Sequence, residues 1–271
     1  MRSLVAFVCA CALLVAVPRA QDRKALDTIL DTYVRDGFVY YRALKSDRGK
    51  LDAYVGSLGE VGVDGLPREA QIAFWLNAYN ALVLRTVVDH YPIAARSKEY
   101  PARSIRQIPG AFERLTHRVG RSTLTLDQIE QNILSAFHDP RLYLALGRGA
   151  VGGGRLRSEA YTPTELESQL KEVASECTSR SACVYVDREN NKLLATPIFS
   201  WREKDFVEGY GDKAPGAFAN RSPIERAILA FVHPGLLTIE REYLDKNANT
   251  FQLAYEPLDW TLNDLTGRGG R

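Results

Sequence analysis

The sequence contains little cysteine and little histidine. Of its four cysteines, two lie within the first twenty residues, which leaves Cys177 and Cys183 for the rest of the chain. Its four histidines lie far apart, so none has the i, i+4 spacing of a pair of metal ligands on one helix. We therefore predict no metal site.

Neither positive nor negative charge predominates in the sequence. The formal net charge is +2, and residues 1–20 carry two arginines and no acid, so the remainder balances at 33 basic and 33 acidic residues. A neutral chain without a basic stripe lacks the electrostatic footprint of a nucleic-acid-binding protein or of a protein held on an anionic membrane. We expect neither kind of partner.

No apolar run is long enough to cross a bilayer. The longest, residues 4–17, has about 14 residues, whereas a spanning helix needs about 20. With Arg2 before it and Ala20 after it, this run is typical of a secretory signal peptide. We predict a signal peptide over residues 1–20, and export to the periplasm or the cell exterior without an integral membrane segment after cleavage.

Export determines how the two remaining cysteines are interpreted. A lone pair separated by five residues in an oxidising compartment most simply forms a disulfide, so we predict a Cys177–Cys183 bond. A zinc site would need further ligands nearby, and no histidine accompanies the pair.

The stretch from residue 68 to residue 92 organises the chain. Its apolar residues recur at helical spacing, which predicts one long helix, and Pro92 ends it. Asn77 and Asn80 lie three residues apart and therefore on one face. Two interpretations stay open, because buried amides need partners: they clamp a loop or a neighbouring helix end, or they line a functional cleft.

The remaining pattern predicts a mostly helical α+β domain over residues 21–266, with a small antiparallel sheet and a disordered tail over 267–271. Capping residues predict helix starts at Thr125, Thr162 and Ser222. Further helices are expected over 21–36, 50–58 and 127–137. Strands are expected over 142–146, 183–187, 192–196 and 250–255.

One glycine pattern imitates a dinucleotide-binding loop. Gly147, Gly149 and Gly152 have the G-x-G-x-x-G spacing, but no helical pattern follows until Pro163. A pyrophosphate site needs a helix that begins at that loop, so we predict no cofactor. The same loop carries Arg148, Arg155 and Arg157, and is expected to be either a plain solvated loop or an anion-binding loop for a carboxylate or sulfate.

Several short motifs follow one another through the chain: Gly37-Phe-Val-Tyr-Tyr41, Ala73-Phe-Trp-Leu-Asn-Ala-Tyr-Asn-Ala-Leu82, Leu124-Thr-Leu-Asp-Gln-Ile-Glu130, Asp139-Pro-Arg141, Glu159-Ala-Tyr-Thr162, Ile198-Phe-Ser-Trp201, Asp205-Phe206 and Asp259-Trp-Thr-Leu-Asn263. Over about residues 31–264 the sequence resembles the domain of unknown function 547 family. The family name itself states no biochemistry.

The chain departs from the family pattern at four positions. Where members commonly carry two histidines, this sequence has Gln131 and Tyr143, and where they usually carry two cysteines it has Arg148 and Gly153. Cysteine with histidine is the general arrangement for thiol chemistry. If the family uses that chemistry, this member has lost nucleophile and base together.

We therefore expect a non-catalytic exported protein that binds a partner protein or a small ligand in a cleft beside the central helix. The predicted cleft residues are the surviving polar and aromatic positions of the family motifs, namely Trp75, Asn77, Asn80, Asp127, Arg141, Trp201, Asp259 and Asn263. The alternative is a divergent hydrolase or transferase in which Glu130 or Asp205 serves as general base and an asparagine as donor.

Overall fold

The computed structural model describes residues 23–265. The predicted signal peptide and the predicted disordered tail lie outside these residues, so both stay predictions. Within the described part, the helices are α1 (Arg23–Tyr33), α2 (Tyr41–Ser46), α3 (Gly49–Ser57), α4 (Arg68–His90), α5 (Leu126–Gln128), α6 (Arg141–Leu144), α7 (Leu166–Ser179), α8 (Ile198–Trp201), α9 (Glu203–Tyr210), α10 (Pro223–Val232) and α11 (Thr238–Lys246).

The strands are short. They are β1 (Val34–Arg35), β2 (Phe38–Val39), β3 (Thr116–Val119), β4 (Ser122–Thr125), β5 (Val184–Asp187), β6 (Lys192–Ala195) and β7 (Gln252–Tyr255). β1–β2, β3–β4 and β5–β6 are antiparallel hairpins, and β7 joins β6 in parallel. Helices dominate small sheets, so the predicted α+β class is confirmed.

The predicted central helix is α4, with 23 residues. From Ile72 to Leu84 every residue is buried, so the helix is covered on all sides and not only along one stripe. The helix ends at His90, two residues before Pro92, as the proline predicts. The other elements pack around it and form one continuous apolar core.

Local capping signals explain where other helices begin. Thr125 with Gln128, and Ser222 with Glu225, form the reciprocal side chain–backbone bonds of a capping box. Thr162 also accepts from the backbone of Glu165, at 3.0 Å, but closes only one turn there, and α7 begins later than predicted. Gln169 holds that turn, because its side chain bonds the backbone at positions 160 and 162.

The strand predicted over 142–146 is wrong, because Arg141–Leu144 form the short helix α6. Asp139 accepts a hydrogen bond from the backbone N–H of Arg141 at 3.1 Å, and Pro140 precedes the first turn, which together start a helix. A short apolar run has no period that separates a strand from a buried helix.

The solvated loop expected over 147–157 is also wrong, because most of its first half is buried. A Cβ added to Gly153 would lie 2.5 Å from the carbonyl oxygen of Gly147, and one added to Gly154 would lie 2.0 Å from that of Leu144. These glycines are therefore explained by close packing of the loop on its own backbone.

The two ends of the domain are joined. The side chain of Asn263 accepts from the hydroxyl of Tyr41 (2.9 Å) and donates to the carbonyl of Gly37 (2.8 Å). The backbone of Val39 pairs with residues 263 and 265, through hydrogen bonds of 2.8 and 2.9 Å. The C-terminal segment thus completes the edge of the β1–β2 hairpin.

Candidate functional site

Three charged side chains from distant parts of the chain meet inside the protein. Glu130 lies in the π-helical segment Ile129–Leu134 that continues α5, Arg148 in the loop after α6, and Arg202 between α8 and α9. Both arginines donate to the same oxygen, Oε1 of Glu130, at 2.8 Å. Glu130, Arg148 and Arg202 are 7%, 2% and 8% exposed, so this Arg–Glu–Arg cluster is nearly dry.

Backbone groups hold Arg148 in place. Its guanidinium also donates to the carbonyl oxygens of Tyr143 (2.8 Å) and Leu146 (3.3 Å). Its own backbone lies in the left-handed region, at φ 47°, which a residue other than glycine adopts at a cost of roughly 1–2 kcal/mol. The side-chain contacts must offset this cost.

The charges of the cluster keep Glu130 ionised. Burial by itself raises the pKa of Glu130, but the positive charges of Arg148 and Arg202 and their hydrogen bonds outweigh burial, so the pKa is lower than usual. The other oxygen of Glu130 accepts a long bond, 3.4 Å, from the hydroxyl of Tyr79. A carboxylate with a lowered pKa and occupied oxygens is a poor general base.

Arg202 connects the cluster to both positions at which the family resemblance implies histidine, Gln131 and Tyr143. Its Nη1 donates to Oε1 of Gln131 at 2.8 Å, and its guanidinium lies over the ring of Tyr143, 4.4 Å from the centroid. The hydroxyl of Tyr143 in turn donates to Asp205 at 2.8 Å. Positions 131, 143 and 148 therefore converge in space around one buried ionic network.

Gly153 is the fourth position at which the sequence departs from the family pattern. It lies against the carbonyl oxygen of Gly147, where any side chain would clash. A cysteine at this point would require the loop to move.

An aromatic surface lies beside the cluster. Trp201, which is 49% exposed, stacks on Trp260 with 6.5 Å between ring centroids. The guanidinium of Arg106 lies 4.5 Å from the centroid of Trp260, and the backbone N–H of Asp127 donates to the carbonyl of Phe112, whose ring contacts Trp260. We call Trp201, Trp260, Arg106 and Asp127 the Trp201 face.

Asp127 differs electrostatically from Glu130. Burial raises its pKa, and the negative charges of Glu113 and Glu130 raise it further, against the opposing effect of Arg106 and Arg202. Asp127 thus retains its proton to a higher pH than an ordinary aspartate. Such carboxylates occur at functional sites more often than elsewhere.

The predicted cleft residues on α4 do not join this face. Asn77 exchanges two hydrogen bonds with the backbone of Tyr161, at 2.9 and 2.8 Å. Asn80 bonds the carbonyl of Ala145 (3.2 Å) and the N–H of Gly147 (2.9 Å). Both amides clamp loops, as the first of the two interpretations states.

Four other predicted positions also have structural partners. Trp75 is buried against Phe74, and Asn263 joins the chain ends as described. Arg141 forms ion pairs with Asp139 and Glu167, at 2.8 and 2.9 Å. The exposed Asp259 bonds the N–H of Thr261 with its side chain.

The three loop arginines do not converge. Arg148 is buried in the cluster, Arg155 pairs with Asp36 and Glu176, and Arg157 pairs with Glu159 and Glu172. Carboxylates of the chain itself occupy these guanidinium groups, so an external anion would have to displace them. Sequence reasoning missed Arg202, Arg106, Trp260 and Tyr79 as site residues. Tyr79 and Trp260 lie within the family motifs, but the roles of all four arise from contacts that only the fold makes.

Cys177 and Cys183 have the geometry of a disulfide, with Cα atoms 5.1 Å apart. In residues 23–265 no group of three or more His, Cys, Asp and Glu side chains is arranged to hold a metal ion. None of the helices in the same range has the length and apolar character needed to cross a membrane.

Comparison with known proteins supplies a family and no activity. Residues 63–176, from the loop before α4 into α7, match the family described as protein of unknown function, DUF547. This match supports the resemblance over residues 63–176, and so over part of the stretch that carries the family motifs. No curated protein and no solved structure matches the chain. The matched region contains Glu130, Gln131, Tyr143 and Arg148, but it ends before Arg202.

Proposed function

We propose that this protein is an exported, non-catalytic member of its family that binds a partner protein through the Trp201 face. One observation carries the proposal. Gln131, Tyr143 and Arg148 occupy positions where the resemblance implies histidine and cysteine, and all three contact one ionic network around Glu130 and Arg202. A buried ion cluster thus occupies the positions where the resemblance implies the residues of thiol chemistry.

Export is supported by the signal-like residues 1–20 and by the disulfide geometry of the only two cysteines beyond them. A thiol titration of the mature protein tests it. We expect no reactive thiol in the unfolded protein before reduction and two afterwards. Two reactive thiols before reduction would contradict export to an oxidising compartment.

The Trp201 face supports binding because a half-exposed tryptophan stacked on a second tryptophan is a large apolar surface with a charged rim. Trp and Arg are the residue types that dominate binding energy at protein interfaces. The neighbouring cluster anchors Arg202, the residue that follows Trp201, and the ring of Trp201 is itself supported by its stacking on Trp260. A rigid anchor loses little side-chain entropy on binding.

A comparison of captured proteins tests the binding face. Immobilised wild-type protein and the Trp201→Ala variant are exposed to the same periplasmic or secreted extract. The matched control is Tyr185→Ala, since Tyr185 is also 49% exposed but lies on β5. We expect a partner that wild type and the control retain and that Trp201→Ala loses. Equal retention by all three proteins would rule out the face.

A second function has one observation in its favour, the raised pKa of Asp127. A divergent hydrolase using carboxylates would employ Asp127 as general acid, with Asp205 as the second carboxylate. Purified protein is therefore assayed on chromogenic esters, amides, glycosides and phosphoesters, beside the variants Asp127→Asn and Asp205→Asn. Turnover that wild type shows and either variant lacks would replace the non-catalytic proposal with this one.

A further inference from the structure

A second concave surface lies beyond the C-terminal end of α4, and none of its lining residues belongs to the Arg–Glu–Arg cluster or to the Trp201 face. Its walls come from α2, from the chain that follows α4, and from the C-terminal segment near Leu262. It encloses about 720 Å³, within the usual range of roughly 300–1,000 Å³ for small-molecule sites. We call it the basic groove.

Three cations line the basic groove: Arg42, Lys45 and Arg103. Most arginines described above have carboxylate partners, but no such ion pair involves Arg42 or Arg103 within residues 23–265. Lys45 donates to the carbonyl of Tyr91, and no ion pair with a carboxylate is formed by Lys45 among the described residues. Asp264, which accepts from the hydroxyl of Tyr91 at 2.8 Å, is the acid in the lining.

Apart from Ser46, the rest of the lining is mainly apolar. The ring of Tyr91, Pro92, Ile93 and Leu262 provide a surface that a purely inorganic anion would not use. A groove with an excess of positive charge and an apolar wall fits a ligand that has both an anionic head and an apolar body. Guanidinium groups match the two oxygens of a carboxylate or phosphate in bidentate geometry.

We infer that the basic groove binds a small organic anion, with a carboxylate or phosphate head held by Arg42 and Arg103 and an apolar body against Ile93 and Leu262. The side chains of residues 266–271 do not match this chemistry, because two of them are arginines and none is acidic. The inference concerns a different surface from the Trp201 face and stands without it.

Calorimetric titration of the full mature protein tests this inference with three probes of one shape. 2-Naphthoate and 2-naphthyl phosphate carry the two head groups, and 2-naphthamide is the uncharged control. We expect at least one anion to bind at least tenfold more tightly than the amide, and the stronger of the two identifies the head group. Equal binding of all three probes, or no binding of either anion at millimolar concentration, would overturn the inference.

Substitutions locate the site. Arg42→Gln/Arg103→Gln should weaken binding of the anion at least tenfold, because both head-group contacts are lost. The control Arg114→Gln/Arg188→Gln changes the net charge equally at exposed arginines outside the groove and should leave affinity unchanged. An equal loss in the control would mean general electrostatic attraction and would refute a defined site. Trp201→Ala should not change the affinity, whatever its effect on partner capture.

Discussion

The substitution Glu130→Gln tests whether the Arg–Glu–Arg cluster is a buried ionic unit. The change keeps the shape of the side chain and removes its charge, so Arg148 and Arg202 remain in the interior without a counter-ion. Removing one partner of a buried ion pair lowers the unfolding free energy by about 3–5 kcal/mol. For a domain of this size that corresponds to a fall in Tm of about 6–20 °C.

The control is Glu167→Gln, which removes the same charge from a glutamate that pairs with Arg141 at the surface. The side chain of Glu167 is 63% exposed, against 9% for that of Glu130. Exposed pairs contribute about 0–1 kcal/mol, so the control should change little. Urea denaturation at pH 7 measures both variants. A loss below 1 kcal/mol for Glu130→Gln would refute the argument that the cluster is dry and mutually compensated.

The pH dependence supplies a second check. The folded-state pKa of Glu130 lies below its ordinary value of 4.5, so the folded protein binds this proton less readily than the unfolded chain. The stabilisation from its charge is therefore complete above the unfolded pKa and is lost as the pH falls through the folded pKa. The difference in unfolding free energy between wild type and Glu130→Gln should therefore decrease in that acidic pH range. A difference that stays constant there would contradict the lowered pKa.

Replacing all three charged residues separates the effect of the cluster's charge on stability from the effect of its shape. In Glu130→Leu/Arg148→Met/Arg202→Met no buried charge is left, and apolar replacement of a buried ion cluster is often neutral or stabilising. We expect this variant to recover most of the stability that Glu130→Gln loses. If it stays as unstable as the single variant, the shape of the cluster and not its charge determines stability.

Three further predictions follow from other contacts. Asn80→Ala leaves two buried backbone groups without partners and should lower the unfolding free energy by about 2–4 kcal/mol in urea denaturation, whereas a loss below 1 kcal/mol would show that the clamp is dispensable. Gly154→Ala should lower the unfolding free energy by about 3 kcal/mol, because the new Cβ meets a carbonyl oxygen at 2.0 Å. The control Gly56→Ala lies in α3, where the new Cβ meets no atom within 4 Å, and should be neutral or slightly stabilising. Equal effects of the two substitutions would contradict the close packing at Gly154. In an NMR titration the carboxyl of Asp127 should titrate above its ordinary value of 3.8, and Glu113→Gln should lower the midpoint by removing a neighbouring negative charge; a midpoint at or below 3.8 would contradict the burial.

What could be predicted from the sequence is what depends on neighbours along the chain. The bounds of α4 follow from its apolar spacing and Pro92, and the start of α10 follows from the capping residue Ser222. The β5–β6 hairpin was predicted from two short apolar runs around a polar turn, and its register is set by that turn. In each case a few adjacent residues carry the signal.

The candidate site depends on contacts that no local pattern encodes. Arg148 and Arg202 reach Glu130 across 18 and 72 positions of sequence. A buried arginine resembles a surface arginine in sequence, since its burial depends on a distant carboxylate. The burial of the loop after α6 depends on the same distant contacts, whereas the strand prediction for α6 failed because a short apolar run does not separate a strand from a buried helix.

The bond between the chain ends has a consequence for the order in which the fold is completed. A polypeptide emerges from the ribosome N-terminus first, so Val39 and the hydroxyl of Tyr41 exist long before their partners at positions 263 and 265. Until those late residues appear, the edge of the β1–β2 hairpin has no neighbour, and a buried tyrosine hydroxyl has no acceptor. The nascent chain can therefore form its first hairpin early, but the outer edge of that hairpin is covered only after residues 263–265 have been synthesised.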